Sequence, residues 1–189
     1  MIYKAKEFIL KDNRRIIVKS PTPEDAFDML NHIIKVAGST DFLLSMPEDF
    51  QRFVDDITKE EELIKNYAEG PNYLLAAYLD GQIIGNCSLN FCRHVKDQHR
   101  AVVGIAIQKE YWGIGVGTVL MGEMINLAKN TEGIEQVELG VISINERAKN
   151  LYTKMGFKKV GTIPRQLKLK DGTYLDEDLM ILPLSHFVI

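Results

Sequence analysis

The chain has 189 residues, of which 46% are hydrophobic and 26% charged, with a formal net charge of −3 and a sequence pI near 5.8. This length and composition predict one globular domain, residues 1–189, and the negative charge argues against nucleic acid as the main partner. No apolar run is long enough to span a membrane and no signal peptide is present, so we expect a cytoplasmic protein without membrane attachment.

The first third of the chain predicts one strand followed by a helical region. Arg15–Lys19 is rich in β-branched side chains, which favour a strand. A helix is expected over residues 22–36, because a threonine cap followed by proline opens that segment. Residues 47–56 and 58–68 predict a second helix or a broken pair.

The rest of the chain alternates strands and helices. Asp80-Gly81 is a strong signal for a two-residue hairpin turn, and Asp171-Gly172 predicts another turn. The expected elements are strands at 73–79, 82–91 and 100–108, a helix at 118–130, a strand at 136–142, a helix from Asn145, and strands at 158–168 and 174–182. This order predicts an α/β (α+β) fold, with a mixed, mostly antiparallel sheet of seven strands and helices on both faces.

Glycines recur where the strand ending near Ile107 leads into the next helix. Gly113, Gly115 and Gly117 stand at alternate positions just before Thr118. Glycine lets backbone N–H groups approach a ligand closely, and a helix N-terminus carries a partial positive charge. The loop therefore predicts a phosphate or pyrophosphate site, the alternative being a turn that only packs the helix on the strand. Its spacing fits neither the dinucleotide fingerprint nor a Walker loop.

A second segment, residues 145–157, predicts a helix that is capped by Asn145 and ended by Gly156. Asn145 and Tyr152 are seven residues apart, which is two helical turns, so both side chains can face one cleft. A buried tyrosine is more often a core residue with a hydrogen-bond partner than a catalytic group, so this segment alone leaves both interpretations open.

Together the two segments resemble motifs of the GNAT superfamily of acetyl-CoA-dependent N-acetyltransferases. Trp112-Gly-Ile-Gly-Val-Gly117 is similar to that family's pyrophosphate motif, with tryptophan in place of its glutamine or arginine. The segment from Asn145 to Phe157 matches the family's Asn-x-x-Ala-x-x-Leu-Tyr pattern, which ends in Gly-Phe. The chain looks like the branch that contains ribosomal-protein-alanine and diamine acetyltransferases. The resemblance implies one N-acetyltransferase domain with a core over about residues 14–184.

The resemblance also implies how the cofactor is held. Acetyl-CoA is expected in the splay between two central parallel strands, and no metal is expected. Tyr152 would be the general acid that protonates the thiolate, and Asn145 would hydrogen-bond the pantetheine arm. The implied cofactor-binding residues are Ile105, Ala106, Ile107, Gly113, Ile114, Gly115, Val116, Gly117, Thr118, Asn145 and Tyr152.

The general base is not identified by these motifs. The position that often carries the family's glutamate, five residues before Asn145, is Gly140. Glu138 lies two residues earlier on the same strand face and is a tentative base, although a solvated charge near the strand start is an equal alternative. His99, at the mouth of the preceding strand, is another candidate.

The remaining polar residues are not assigned a single functional role by the sequence. Arg147, Lys149 and Lys154 form either a solvated helix face or contacts to the cofactor's ribose phosphate. Cys87 and Cys92 are expected to be reduced thiols. The four histidines have no metal-ligand spacing: His32, His94, His99 and His186.

The acceptor is expected to be a small cationic amine such as a polyamine. Acidic side chains are frequent in the two segments expected to line its pocket, the N-terminal helices and the last hairpin. These residues are Asp41, Glu48, Asp49, Asp55, Asp56, Glu60, Glu61, Glu62, Asp171, Asp176, Glu177 and Asp178. Alternatives are acetylation of a protein N-terminus or lysine, and a non-catalytic acetyl-CoA-binding module. A homodimer is left open.

Overall fold

The computed structural model describes residues 1–184. Its strands are β1 (Lys6–Ile9), β2 (Arg15–Lys19), β3 (Tyr73–Leu79), β4 (Gln82–Phe91), β5 (Arg100–Ile107), β6 (Gln136–Ile142), β7 (Lys158–Lys168) and β8 (Tyr174–Pro183). Its helices are α1 (Ala26–Ala37), α2 (Gln51–Val54), α3 (Thr58–Glu69), α4 (Val116–Lys129) and α5 (Glu146–Lys154). Among residues 1–184, no helix has the length and apolar character needed to cross a bilayer.

The strands form one sheet in the order β1-β2-β3-β4-β5-β6-β8-β7. β5 and β6 pair in parallel, with Arg100 opposite Gln136 and Val102 opposite Glu138. The pairings of β1 with β2, β2 with β3, β3 with β4, β6 with β8 and β7 with β8 are antiparallel. The predicted mixed, mostly antiparallel α/β fold is therefore confirmed.

The predicted number of seven strands was wrong, because the chain forms an additional strand, β1. This strand pairs with β2, so that Ile9 lies opposite Arg15, and the turn between them passes through Asn13 at φ 66°. β1 is a four-residue edge strand with mostly exposed side chains. Its sequence lacks the alternation of apolar and polar residues that indicates a half-buried strand, and pairing with β2 decides its conformation.

The described chain divides into two compact units. The first contains residues 1–90 and 104–124, and the second contains residues 91–103 and those from 125 onward. The single domain inferred from chain length stays a prediction.

The first unit is built around the β3–β4 hairpin. Asp80 and Gly81 at its turn have φ angles of 49° and 82°, the left-handed pair that a two-residue hairpin turn requires. Five consecutive residues of β3 are buried, as expected for a strand covered on both faces. The core that covers it contains Ala26, Met29, Ile64, Leu74, Ala76, Tyr78 and Ile83.

A buried polar network holds His32 of α1 in this unit. Nε2 of His32 is 3.0 Å from Asn86 Oδ1, and Nδ1 is 3.2 Å from Gln108 Nε2. Lys35 Nζ donates to Gln108 Oε1 at 2.8 Å, which fixes the Gln108 amide as a donor toward the imidazole. The ring is therefore neutral, with its proton on Nε2. Burial lowers the pKa of His32 to about 4.

We expect His32 to make the stability of the fold depend on pH. An unfolded histidine takes up a proton near pH 6.5, whereas the buried ring does so only near pH 4, so stability is lost as the pH falls between these values. The free energy of unfolding should fall by about 2 kcal/mol from pH 7 to pH 4.5 on this account. Urea unfolding at both pH values should show that this part of the loss is absent in His32→Gln, and equal losses in both proteins would contradict it.

The second unit is a β6-β8-β7 sheet with one covered and one open face. Side chains alternate along a strand, so Asp178 and Leu182 of β8 share one face, while Leu179 and Ile181 share the other. Helix α5 lies against the first face, where a Cβ on Gly156 would be 3.2 Å from Leu182 Cδ1. We call the opposite face, with Gly140 of β6 opposite Leu179, the open face.

Candidate functional site

The glycine loop of the first unit is shorter than the sequence predicts, because helix α4 begins at Val116 and contains Gly117 and Thr118. Gly113 and Gly115 have φ angles of 81° and 112°, in the left-handed region that favours glycine. Helix α4 begins at Val116, and the Ile114 carbonyl accepts a hydrogen bond of 3.0 Å from the Lys11 N–H. The first N–H groups of a helix have no acceptor within the helix. The loop therefore presents donors and a partial positive charge to an anion.

The end of β5 is packed tightly against the start of α4. A Cβ on Gly85 would lie 3.2–3.3 Å from side-chain atoms of Ile107, Val116 and Leu120, so a larger residue would push these side chains outward. The Ile107 carbonyl accepts a hydrogen bond of 2.8 Å from the Trp112 indole. Trp112 thus replaces the family's glutamine or arginine with a side chain that fixes the turn. Of the predicted contacts in β5, Ala106 is buried and Ile105 is half-buried.

The second unit contains the other two predicted site residues. Asn145 caps α5, its Oδ1 accepting from the Ala148 N–H at 3.2 Å. Tyr152 lies two helical turns after Asn145 and is buried, with its ring centroid 6.0 Å from that of Phe157. A hydrogen bond of 3.0 Å from the Phe157 N–H to the Tyr152 carbonyl closes the helix end around Gly156. The Tyr152 side chain is therefore held by packing on Phe157, and its backbone carbonyl is held by a hydrogen bond.

A buried carboxylate ties the turn before α5 to the sheet. Asp178 accepts hydrogen bonds from the hydroxyls of Ser143 at 2.7 Å and Thr162 at 2.9 Å, and Lys159 Nζ lies at 2.7 Å. Burial alone would raise the pKa of Asp178, but the hydrogen bonds from Lys159, Ser143 and Thr162 lower it to about 2. Lys149 joins this group by donating to the Ser143 carbonyl at 2.7 Å.

The three cations proposed for the ribose phosphate differ in their surroundings. Lys149 is bound to Ser143, to Glu146 at 2.7 Å and, at 4.0 Å, to Asp178, so it serves the structure of its own unit. Burial lowers the pKa of Arg147. Arg147 and Lys154 keep both interpretations.

The open face holds a depression of about 580 Å³. Its floor is apolar, and Lys96, His99 and Arg100 give it basic groups. The lining residues are Lys96, His99, Arg100, Val102, Gln136, Glu138, Leu139, Gly140, Val160, Leu179, Met180 and Ile181. The depression is open to solvent, and its lining combines apolar side chains with charged ones.

Glu138, the tentative base, lies in this depression in a bidentate ion pair. Both Nε and an Nη of Arg100 donate to its carboxylate, and Gln136 Nε2 donates at 2.6 Å. The Arg100 hydrogen bonds lower the pKa of Glu138. A carboxylate with a lowered pKa and occupied oxygens is a weaker proton acceptor than a free one. Its assignment as the base stays a prediction, and this geometry does not favour it.

The sequence predicted Glu177 as one of the acidic residues lining the acceptor pocket, and not as a candidate base. Its carboxylate lies beside Gly140, where an added Cβ would meet it. The signal that could have found it is the glycine itself, since a glycine inside a strand marks the close approach of another group.

Cysteine and histidine positions complete the comparison with the sequence. Cys87 is buried and Cys92 half-buried, and both are free thiols. Among residues 1–184, no group of three or more His, Cys, Asp or Glu side chains is arranged to hold a metal ion. His186 lies outside the described residues.

Residues 40–157 match the model of the "Acetyltransferase (GNAT) family". The chain is similar to the L-amino acid N-acetyltransferase AaaT of Escherichia coli, with 31% identity over 102 residues, 54% of this chain. The matched stretch spans only 62% of that relative's length.

Two solved structures share the fold. An acetyltransferase of the GNAT family from Streptococcus pneumoniae has a TM-score of 0.81 at 25% identity, covering 89% of this chain and 99% of its own. An acetyltransferase from Salmonella typhimurium, solved with its cofactor acetyl-CoA, has a TM-score of 0.77 at 18% identity, covering 92% and 96%. The family match, which includes both the glycine loop and the Asn145–Phe157 segment, confirms the predicted resemblance. The chain belongs to the GNAT family of N-acetyltransferases, whose cofactor is acetyl-CoA.

Proposed function

We propose that this chain transfers the acetyl group of acetyl-CoA to the primary amine of a small molecule. The observation that carries the proposal is the glycine loop, whose left-handed Gly113 and Gly115 lead directly into α4. N–H groups from Gly113 to Thr118 would hold the pyrophosphate, and the backbone of Ile105–Ile107 with the Asn145 side chain would hold the pantetheine arm. Acetyl-CoA supplies an activated acetyl thioester. No metal is part of the proposal.

Tyr152 is the proposed general acid. When the bond between the acetyl carbon and sulfur breaks, the sulfur leaves as a thiolate and needs a proton. The buried phenol on α5 is positioned by ring packing on Phe157 and by the Asn145 cap two turns earlier. Its O–H can donate this proton and recover one from the amine as the amide forms.

Three of the four acidic side chains of the last hairpin already accept hydrogen bonds within the protein. Asp178 is buried with Lys159, Asp176 accepts from the Arg165 N–H at 2.7 Å, and Asp171 accepts from the Thr173 N–H at 2.9 Å. A small cationic amine such as a polyamine is the acceptor that we predicted, and Glu177 remains to support it. Acetylation of a protein N-terminus or lysine stays an alternative. A cytoplasmic location and a homodimer stay predictions.

A second acceptor class, the α-amine of an amino acid, is favoured by a specific observation. The depression on the open face carries Lys96 and His99 beside apolar side chains, and these two residues suit an anionic group, whereas Arg100 is paired with Glu138. The similar Escherichia coli protein is named as an L-amino acid N-acetyltransferase.

An acceptor screen tests the proposed function. Polyamines, L-amino acids, aminoglycosides and short peptides with free N-termini should be mixed with acetyl-CoA, and amine-dependent CoA release measured at low and physiological ionic strength. Polyamine turnover that weakens with salt supports the cationic acceptor, because the Debye length shortens to about 8 Å at physiological salt and screens the attraction between charges. Turnover of amino acids supports the second class. No release with any amine would leave only the non-catalytic acetyl-CoA-binding module.

We expect a negative charge introduced at position 113 to weaken the binding of acetyl-CoA. Asn and Asp have the same shape and both tolerate a positive φ, and a Cβ at Gly113 meets nothing within 4 Å. Gly113→Asp should repel the pyrophosphate and raise the Kd at least tenfold relative to Gly113→Asn, about 1.4 kcal/mol. Calorimetry with acetyl-CoA measures this, and acetyl-pantetheine, which lacks the pyrophosphate, is the control. Equal affinities of the two variants for acetyl-CoA would contradict a pyrophosphate at this loop.

A further inference from the structure

The Glu177 carboxylate fills the space that a side chain at Gly140 would occupy. Gly140 is opposite Leu179, and Glu177 is opposite Ile142, so the two residues are diagonal neighbours on the open face. A Cβ built on Gly140 would lie 2.5 Å from Glu177 Cδ and 3.1 Å from Oε2. The side chain therefore lies across β6, directly over the backbone of Gly140. Any larger residue at position 140 would displace it.

Glu177 is also a carboxylate without a partner on this face. Among residues 1–184 it makes no hydrogen bond or ion pair, although it is half-buried. The other charged groups on this face of the neighbouring strands are Glu138, which is bound by Arg100, and Lys158, which stands opposite Ile181. A half-buried carboxylate without a cation is suited to bind an ammonium group from outside.

Glu177 and Tyr152 lie on opposite faces of the same sheet. Tyr152 belongs to α5, which packs on the face of Leu182 and Asp178, and Glu177 is on the open face. The acceptor nitrogen and the sulfur are different atoms on the acetyl carbon, so a base on one face and an acid on the other can each serve one of them.

We propose that Glu177 is the general base of the reaction, and this rests on the proposed acetyl transfer. The acceptor enters the open face as an ammonium ion, which the Glu177 carboxylate binds and deprotonates. The neutral amine then forms its bond to the acetyl carbon as the carbon–sulfur bond breaks. Of the two protons that the nitrogen loses, one leaves through Glu177 to solvent, and the other replaces the proton that Tyr152 gives to sulfur.

The test begins with Glu177→Gln, which keeps the shape and removes the base. With the amine found in the acceptor screen, kcat/KM near neutral pH should fall at least a hundredfold. The pH profile should also change. In the variant only the neutral amine in solution reacts, so log kcat/KM should rise with a slope of about one up to the pKa of the acceptor. The wild type should level off well below that pKa.

Two further variants separate a catalytic role from a structural one. Gly140→Ala displaces the carboxylate but retains it, so activity should fall while unfolding by urea changes little. The double substitution Gly140→Asp, Glu177→Ala moves a carboxylate from β8 to β6 in the same space, and it should recover a large part of the loss seen in Glu177→Ala. The exposed Glu132→Gln is the control for loss of a carboxylate elsewhere in this unit.

The outcomes distinguish this inference from the function on which it rests. A wild type that releases no CoA with any amine overturns both. An active wild type with an unchanged Glu177→Gln profile overturns only the role of Glu177. If Glu138→Gln instead shows the hundredfold loss and the new pH slope, Glu138 is the base and the inference is wrong. Unchanged calorimetric affinity for acetyl-CoA in Glu177→Gln, together with the altered slope, supports it.

Discussion

Replacing Tyr152 by phenylalanine should lower kcat by a factor of about 10²–10⁴. The substitution removes only the O–H, so the ring keeps its contact with Phe157 and the cap at Asn145 is untouched. Acetyl-CoA affinity should therefore stay the same, while the step that protonates the thiolate becomes slow. Rapid-quench measurement of a single turnover checks this without interference from product release.

The control for Tyr152 is Tyr174→Phe, which removes the O–H of an exposed tyrosine in the same unit. An acetyl thioester of a more acidic thiol needs less help in leaving, so it should reduce the deficit of Tyr152→Phe. A single-turnover rate within twofold of the wild type would show that another group or water protonates the thiolate.

Replacing Asp178 by alanine should destabilise the protein by about 1–3 kcal/mol, because a buried hydrogen-bond acceptor and its ion pair with the exposed Lys159 are lost. The hydroxyls of Ser143 and Thr162 also lose their acceptor. Chemical denaturation at pH 7 measures the loss, and Asp176→Ala, an exposed neighbour, should cost far less.

The effect of Asp178 also has a defined pH range. Its pKa of about 2 lies below the value near 3.8 of an unfolded aspartate, so its contribution is complete above pH 4 and is lost as the pH falls toward 2. This range lies below the one expected for His32, and the two effects can be measured separately. A difference between wild type and Asp178→Ala that does not shrink below pH 4 would contradict the assignment.

Local sequence signals predicted most of the fold. The bounds of β3, β4, β6 and β7 were correct, because each strand has β-favouring side chains and a glycine or proline turn beside it. Asn145 was found as a cap because the capping signal is a single residue next to a helical pattern. β1 was missed because its strand conformation depends on β2, its partner in the sheet.

The parts of the candidate site that consist of backbone were predicted from the sequence. The parts that depend on pairs of residues far apart in the sequence were missed. The glycine loop is contiguous, so its conformation follows from its own residues. The partner of Glu138 is Arg100, 38 residues away, and nothing near Glu138 indicates that its carboxylate is occupied. Glu177 and Gly140 are also brought together only by the register of β6 with β8.

Because Asp178 anchors helix α5 to the base of the last hairpin, the sequence of the hairpin tip can change without moving the helix. Several links that hold α5 and the turn before it to the hairpin meet at this one carboxylate, through Ser143, Lys149, Lys159 and Thr162. The hairpin tip from Arg165 to Tyr174 lies beyond these anchors. Loops of other lengths and charges could therefore be grafted at the tip to change which amines are accepted, while the helix that carries Tyr152 keeps its place.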